Sequence, residues 1–326
     1  MQEEEVGAGG REKGRGRDAE RPGQIPAAGL KDVLWRLYAA VGEDRVMLIA
    51  AGVTYYLLLA LFPAMAALVS LYGFFSSPAD IAERIGFLGS VMPADALNIF
   101  LDQLKSLASQ DNSTLGIGLL AGLAIALWSA NNGMKALFEA MNVAYGETEK
   151  RSFIRLNAIS LLFTFGALIL VIVLIVAVGI VPVVLSFLWL ERWAEILISL
   201  ARWPLMLLFV VGAIAILYRF GPSREPPKPR WLSWGTAFAA ISWVIASVAV
   251  SFYLANFANY NATYGTLGAM IGFMVWTWIS VIIVIIGAEI NAELEHQTAR
   301  DSTTGPPKPM GSRGAYMADT IGKASS

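Results

Sequence analysis

Glu289 follows 25 residues without a charge, Tyr264–Ala288, and is either a working group inside an apolar phase or the first polar residue beyond it. At about 1.5 Å per residue such a run reaches about 37 Å, more than the roughly 30 Å of bilayer hydrocarbon. That length sets the carboxylate at the membrane's edge. The alternative turns it into a helix bundle, paired with Asn291 or with a basic residue of 135–155. Arg202 is a second embedded charge, six residues after Ile196. A cation deep in lipid costs about 2.5–3.5 kcal/mol on insertion scales. Arg202 therefore either snorkels to the outer headgroups or meets the phosphate or carboxylate of an anionic substrate. Tyr55 and Tyr56 stand one to two turns before Pro63, which removes a backbone donor and favours a kink. Proline-interrupted spans are common at transporter binding sites, although a kink also serves plain packing. Asn131, Asn132 and Lys135 close another apolar run, where paired asparagines either join helices or line a polar opening. Trp276 and Trp278, two residues apart mid-run, point to different sides, so at most one faces a cavity.

Seven cations, Lys150, Arg151, Arg155, Arg219, Arg224, Lys228 and Arg230, form a set suited to anionic lipid headgroups. A general bias of basic residues to the cytoplasmic side accounts for them without any ligand. Other chemistry is poorly served. There is no cysteine, and the single histidine, His296, cannot build a multi-histidine metal site. No glycine-rich loop runs into Lys-Ser/Thr, and no nucleophile–base pair stands on a soluble face. A net charge of −1 argues against general nucleic-acid binding. The expectation is a non-enzyme without metal or cofactor, whose partners are membrane lipids and not nucleic acid.

These residues must be positioned by membrane helices. The 326-residue chain is 56% hydrophobic and 15% charged, with a mean hydropathy of +0.58, against about 25% charge in a soluble domain. Apolar runs predict six spans, at 46–75, 115–134, 157–181, 196–218, 231–255 and 264–288. Helices satisfy their backbone hydrogen bonds locally, and barrel alternation is absent. The fold class is therefore all-α, a polytopic membrane protein. Twenty of the 24 basic residues fall at 1–45, 135–155, 219–230 and the C-terminal tail, which makes that side and both termini cytoplasmic. Leu30, Val33, Leu34, Leu37, Tyr38 and Val41 recur at helical spacing, as in an amphipathic helix lying along the interface. The 76–114 loop reads as external amphipathic helices. Pro182 ends the third helix and leaves "VVLSFLWLERW" as an interfacial or re-entrant piece. Residues 1–29 and 301–326 read as disordered cytoplasmic tails flanking a 30–300 membrane domain. Gly118-x-x-x-Gly122 and Gly268-x-x-x-Gly272 permit close helix approach, within the chain or in a homo-oligomer.

"LWRLYAAVGEDRVMLIAAGVTYYLLLALFPAMAALVSLYGFF" resembles the opening of the YihY/BrkB family of bacterial inner-membrane proteins. "NYNATYGTLGAMIGFMVWTWISVIIVIIGAEINAELE" is similar to its closing signature. "ALWSANNGMKALFEAMNVAYG" and "LYRFGPSREPPKPRW" match between them, so the likeness covers about 30–300. The resemblance implies a six-helix inner-membrane protein. It carries over no catalytic residue. Family members once carried a ribonuclease label, which sits badly with one histidine, and have been connected with virulence, envelope maintenance and lipid export. Residues and resemblance together lead to an expected transporter of a lipid or other amphipathic envelope component. Arg202 would meet the headgroup charge, the Thr54–Pro63 region would move or line the path, and the external helices would form a lid. The alternative is a non-transporting scaffold that recruits partners through its basic inner face.

Overall fold

The computed structural model describes residues 14–73, 112–175, 192–256 and 268–325. A helix overlaps each of the six apolar runs. A short α1 (Ala27–Glu43) leads into α2 (Val46–Gly73), followed by α3 (Asn112–Ala144), α4 (Phe153–Ile175), α5 (Arg192–Phe220), α6 (Ser233–Asn256) and α7 (Gly268–Glu295). A one-turn α8 (Tyr316–Asp319) closes the described chain. The protein is all-helical; no strand occurs among the described residues, only an isolated bridge between Pro227 and Thr303. The external loop expected at 76–114 lies almost wholly outside the described residues, as does the piece after Pro182.

Four helices carry stretches long and apolar enough to cross a bilayer, Phe153–Leu174, Trp203–Phe220, Ser233–Tyr253 and Met270–Glu295. Helix α1 and residues Val46–Leu61 of α2 reach that length only when taken together, and they are bent by 56° at their junction. The bend falls at Asp44 and Arg45, and Arg45 takes a left-handed φ of +49°, which strains a non-glycine residue. Helix α3 runs ten residues past the end expected at 134, because "KALFEAMNVA" is rich in strong helix formers. Gly146 stops the chain just beyond it with a φ of +63°, its N–H donating to the Val143 carbonyl. Pro63, the expected kink, falls inside the continuous helix α2, and Pro204 likewise inside α5.

The α3–α4 turn, the α5–α6 connection and both described chain ends meet at one end of the bundle, called here the terminal face. The Ser223 N–H donates to Asn142 Oδ1 (2.7 Å), and the Tyr316 N–H to Glu147 Oε1 (2.7 Å). Helices α6 and α7 approach closely at Gly235 and Gly287, where a Cβ on Gly235 would collide with the Gly287 carbonyl. The Gly235 N–H donates to Asn291 Oδ1 (2.8 Å), and the Tyr218 hydroxyl of α5 to the Val284 carbonyl (2.7 Å). Around these contacts Val53, Phe138, Met141, Leu217 and Ile285 form the core. The outward faces are apolar too, with Leu162 and Ile169 on α4, Leu208 on α5 and Ile245 and Val248 on α6 all exposed. A surface of this kind would aggregate in water; in hydrocarbon it is solvated.

One expectation is corrected here. The tails, expected to be disordered, are folded over residues 14–29 and 301–325. Ala299 N–H donates to the Arg17 carbonyl, Gly322 N–H to the His296 carbonyl, and Ser302 and Thr303 are buried. Composition reads such glycine- and proline-rich stretches as disordered, but here the order comes from distant partners. Helix α1 is amphipathic as expected, and its inward face packs. Asp32, Val33 and Arg36 face inward against α7 and the C-terminal segment, while Leu34, Trp35 and Tyr38 point away.

Candidate functional site

The last two turns of α7 bring three carboxylates to the terminal face at spacings that divide them between neighbours. Glu289 and Glu293, four residues apart, share one side and meet α1. Glu295 turns the other way. Arg36 of α1 donates through Nε to Glu293 Oε2, and through Nη2 to the Glu293 carbonyl (3.1 Å) and Gln297 Oε1 (2.9 Å). The C-terminal segment covers this pair, with Gly322 directly against the guanidinium. Asp32, one turn before Arg36, accepts from Arg15 Nη1 (2.5 Å) and from the Ser325 hydroxyl (2.7 Å). Burial alone would raise the Asp32 carboxyl, but these donors outweigh it and hold the group at about 2.

On the opposite side Arg224 Nη2 donates to Glu295 Oε1 (2.5 Å), with both side chains shut off from solvent. The Ser302 hydroxyl donates to the same oxygen (2.5 Å), and Arg224 lies over the Tyr145 ring at 4.8 Å. Burial pushes the Tyr145 phenol well up, so it stays neutral.

Glu289 itself is 1% exposed, and neither carboxyl oxygen has a hydrogen-bond donor. Glu289 is therefore turned into the bundle, under a polar layer that α1, the α3–α4 turn and the C-terminal segment build over the end of α7. The pairing with Asn291 fails. Two residues along a helix lie on nearly opposite faces, and Asn291 is turned to Gly235. The group beside Glu289 is the carboxyl of Asp44 at the α1–α2 corner.

The remaining expected residues scatter. Asn131 Nδ2 donates to Asn157 Oδ1 (3.4 Å) and Lys135 Nζ to the same atom (3.2 Å), so this polar group joins α3 to α4. Asn132 is half-buried beside them. Trp276 Nε1 donates to Ser247 Oγ on α6 (3.1 Å), whereas Trp278 Nε1 donates to the Met47 carbonyl on α2 (3.0 Å). The two indoles do point to different sides. Tyr55 is exposed and lines a shallow apolar depression of about 240 Å³ with Thr54, Met274 and Trp278; Tyr56 packs edge-on against it at 5.7 Å. Pro63 is half-buried. Arg202 belongs to α5, and its side chain lies outside the described residues.

Of the seven cations, four are committed internally. Arg151 binds Glu149 (2.7 Å) and the Gly221 carbonyl (2.8 Å), and Lys150 binds Glu147 (2.7 Å). Lys228 donates to the Asp301 carbonyl (2.7 Å), and Arg224 is sealed against Glu295. Arg155 and Arg230 stay exposed. Arg219 is different: its guanidinium stacks on Phe220 at 5.3 Å, and its buried Nε has no partner. It stands at the terminal end of an apolar groove of about 620 Å³ between α5 and α6, walled by Leu207, Val211, Thr236 and Ile241.

Sequence reading missed Asp32, Arg36, Asp44, Tyr145, Glu293 and Glu295. The signal was present in the i, i+4 repeats Asp32–Arg36 and Glu289–Glu293. It was hidden because α1 was read by its apolar stripe alone.

A helical bundle with lipid-compatible outer faces and a polar layer at one end is an integral membrane protein. The family described as virulence factor BrkB matches residues 37–311. The chain is 36% identical over 278 residues to the ribonuclease-like protein YfkH of Bacillus subtilis (strain 168), covering 81% of this chain and 94% of that one. A UPF0761 membrane protein of Haemophilus influenzae (strain 86-028NP) is 23% identical over 269 residues, again covering 81% and 94%. One of Nitrosospira multiformis is 27% identical over 259 residues, covering 78% of this chain and 58% of that protein. No solved structure matches. The chain belongs to the BrkB family.

Proposed function

We propose that this protein moves a lipid or another amphipathic envelope component across a bacterial inner membrane, through six spans with both termini in the cytoplasm. The observation that carries this reading is the α5–α6 groove, aliphatic along its length and headed by Arg219. Its volume is of the size that small-molecule sites use. An unpaired guanidinium at its cytoplasmic end suits a phosphate headgroup, and the aliphatic walls suit an acyl chain. The basic residues of the terminal face support the orientation.

The groove predicts selective lipid retention. Native mass spectrometry of purified protein should find anionic phospholipid retained over zwitterionic. Arg219→Ala, still folded, should lose about tenfold in that preference, the size of one charge-assisted hydrogen bond. Equal retention by wild type and variant would remove the groove from the account.

A second reading is a non-transporting scaffold, favoured by the way both chain segments fold into one polar cap over the terminal face. Arg155 and Arg230 are the exposed cations it would offer. The nuclease reading that the Bacillus subtilis relative's name raises rests on His296, which is already engaged with the Thr320 hydroxyl (3.0 Å).

A further inference from the structure

Neither the groove nor the scaffold reading uses the carboxyl groups at the α1–α2 corner. Glu289 is fully enclosed without a donor to either oxygen, and the carboxyl of Asp44 lies beside it. The nearby cations are occupied elsewhere, Arg36 by Glu293, Gln297 and the Lys323 carbonyl, and Arg224 by Glu295. The other groups facing the pair are acidic or neutral. Glu43 and Glu293 both bear on Asp44, and the neutral Tyr145 bears on Glu289 from the far side of α7. His296 stands 3.8 Å from Glu293 and is engaged with the Thr320 hydroxyl. Burial first, and then the charges of Glu43 and Glu293, push the Asp44 carboxyl up. Two carboxylates side by side, one of them sealed from water and neither paired with a cation among the described residues, cannot both stay ionised. A single proton between them turns repulsion into an acid–carboxylate hydrogen bond.

We propose that Asp44 and Glu289 are a proton-binding pair that latches the α1–α2 corner to α7. The proton adds to one carboxylate as an O–H bond and takes the pair from two negative charges to one; no other bond changes. Asp44 is partly exposed, so exchange runs through it to the terminal face. Loss of the proton sets the charges against each other across a corner that already holds Arg45 in a strained backbone conformation. The corner is then the element that loosens. This inference does not depend on what the groove carries.

The sign of the pH dependence follows from linkage. Unfolded carboxyls release their protons above about pH 4, while the folded pair keeps one. Stability must therefore fall as pH rises, by about a tenfold change in the unfolding constant per pH unit, until the folded pair itself deprotonates. Full-length protein in detergent, melted between about pH 5 and about pH 8, should lose stability progressively. Glu289→Gln, which donates to Asp44 as the protonated acid does, should melt at the wild-type acidic value and lose this slope. His296→Gln should keep it. Infrared spectra at neutral pH should show a protonated carboxylic acid band in the wild type that is missing from Glu289→Gln and from Asp44→Asn. A wild type without that band, or a slope unchanged in Glu289→Gln, would overturn the proposal. If Glu289→Gln does not fold, Asp44→Asn, at the partly exposed member, gives the same two readings.

Discussion

Arg224 and Glu295 show what a charge at this depth requires. Both side chains are out of solvent, and the serine hydroxyl, the arginine fork and the tyrosine face replace much of what water would otherwise give, although Arg224 Nη1 has no hydrogen-bond partner. Removing one member of such a buried pair leaves the other uncompensated, at a cost of about 3–5 kcal/mol. Arg224→Ala should thus lower unfolding stability in detergent by that amount. Arg155→Ala, at an exposed position, should change it by less than about 0.5 kcal/mol. Equal effects would mean that the terminal face is open to water. Glu289 was visible in the sequence as a charge after a long apolar run, but its burial was not. A linear reading measures the run against a bilayer and cannot see the protein layer that extends the enclosed region beyond it.

The helices were the legible elements. Unbroken apolar runs can satisfy their backbone only as helices in lipid, and a helix overlaps each of the six runs. Their contacts were less legible, because close approach depends on a few small residues in register. Gly235 and Gly287 bring α6 against α7 so closely that Asn291 reaches a backbone N–H of its neighbour. Gly235→Ala should force the helices apart at a cost of about 1–3 kcal/mol, the usual range for overpacking. Gly212→Ala is a control, since nothing stands within 4 Å of a Cβ there. A thermal melt of the two variants checks the difference. The C-terminal segment escaped sequence reading for a related reason. Arg313 donates to the carbonyls of Lys308, Ala318 and Ala299, and Asp319 accepts from the N–H groups of Gly311, Arg313 and Gly314. Each bond joins residues that lack any periodic pattern.

Across the whole molecule, polar closure at one end and apolar exposure elsewhere divide the labour. The terminal face fixes α1, α7 and both chain segments to one another, while α5 and α6 leave an aliphatic groove open to lipid. Acid should undo the first without touching the second. Asp32 and Glu149 are both held at about 2, and Glu149 owes this to Arg151 and Asn142, which outweigh its burial. Depressed carboxyls contribute stability that is present above their ordinary values of 3.8 and 4.5 and is lost as pH falls towards 2. Protease cleavage of the C-terminal segment should therefore rise below about pH 4, before the spans unfold. The function proposed for this arrangement is lipid movement, and oriented liposomes carrying headgroup-labelled anionic and zwitterionic lipids test it most directly. The account predicts transbilayer movement faster than in protein-free liposomes, slowed about tenfold for anionic lipid by Arg219→Ala in correctly folded protein. Rates equal to those of protein-free liposomes, with the protein folded and oriented, would contradict it.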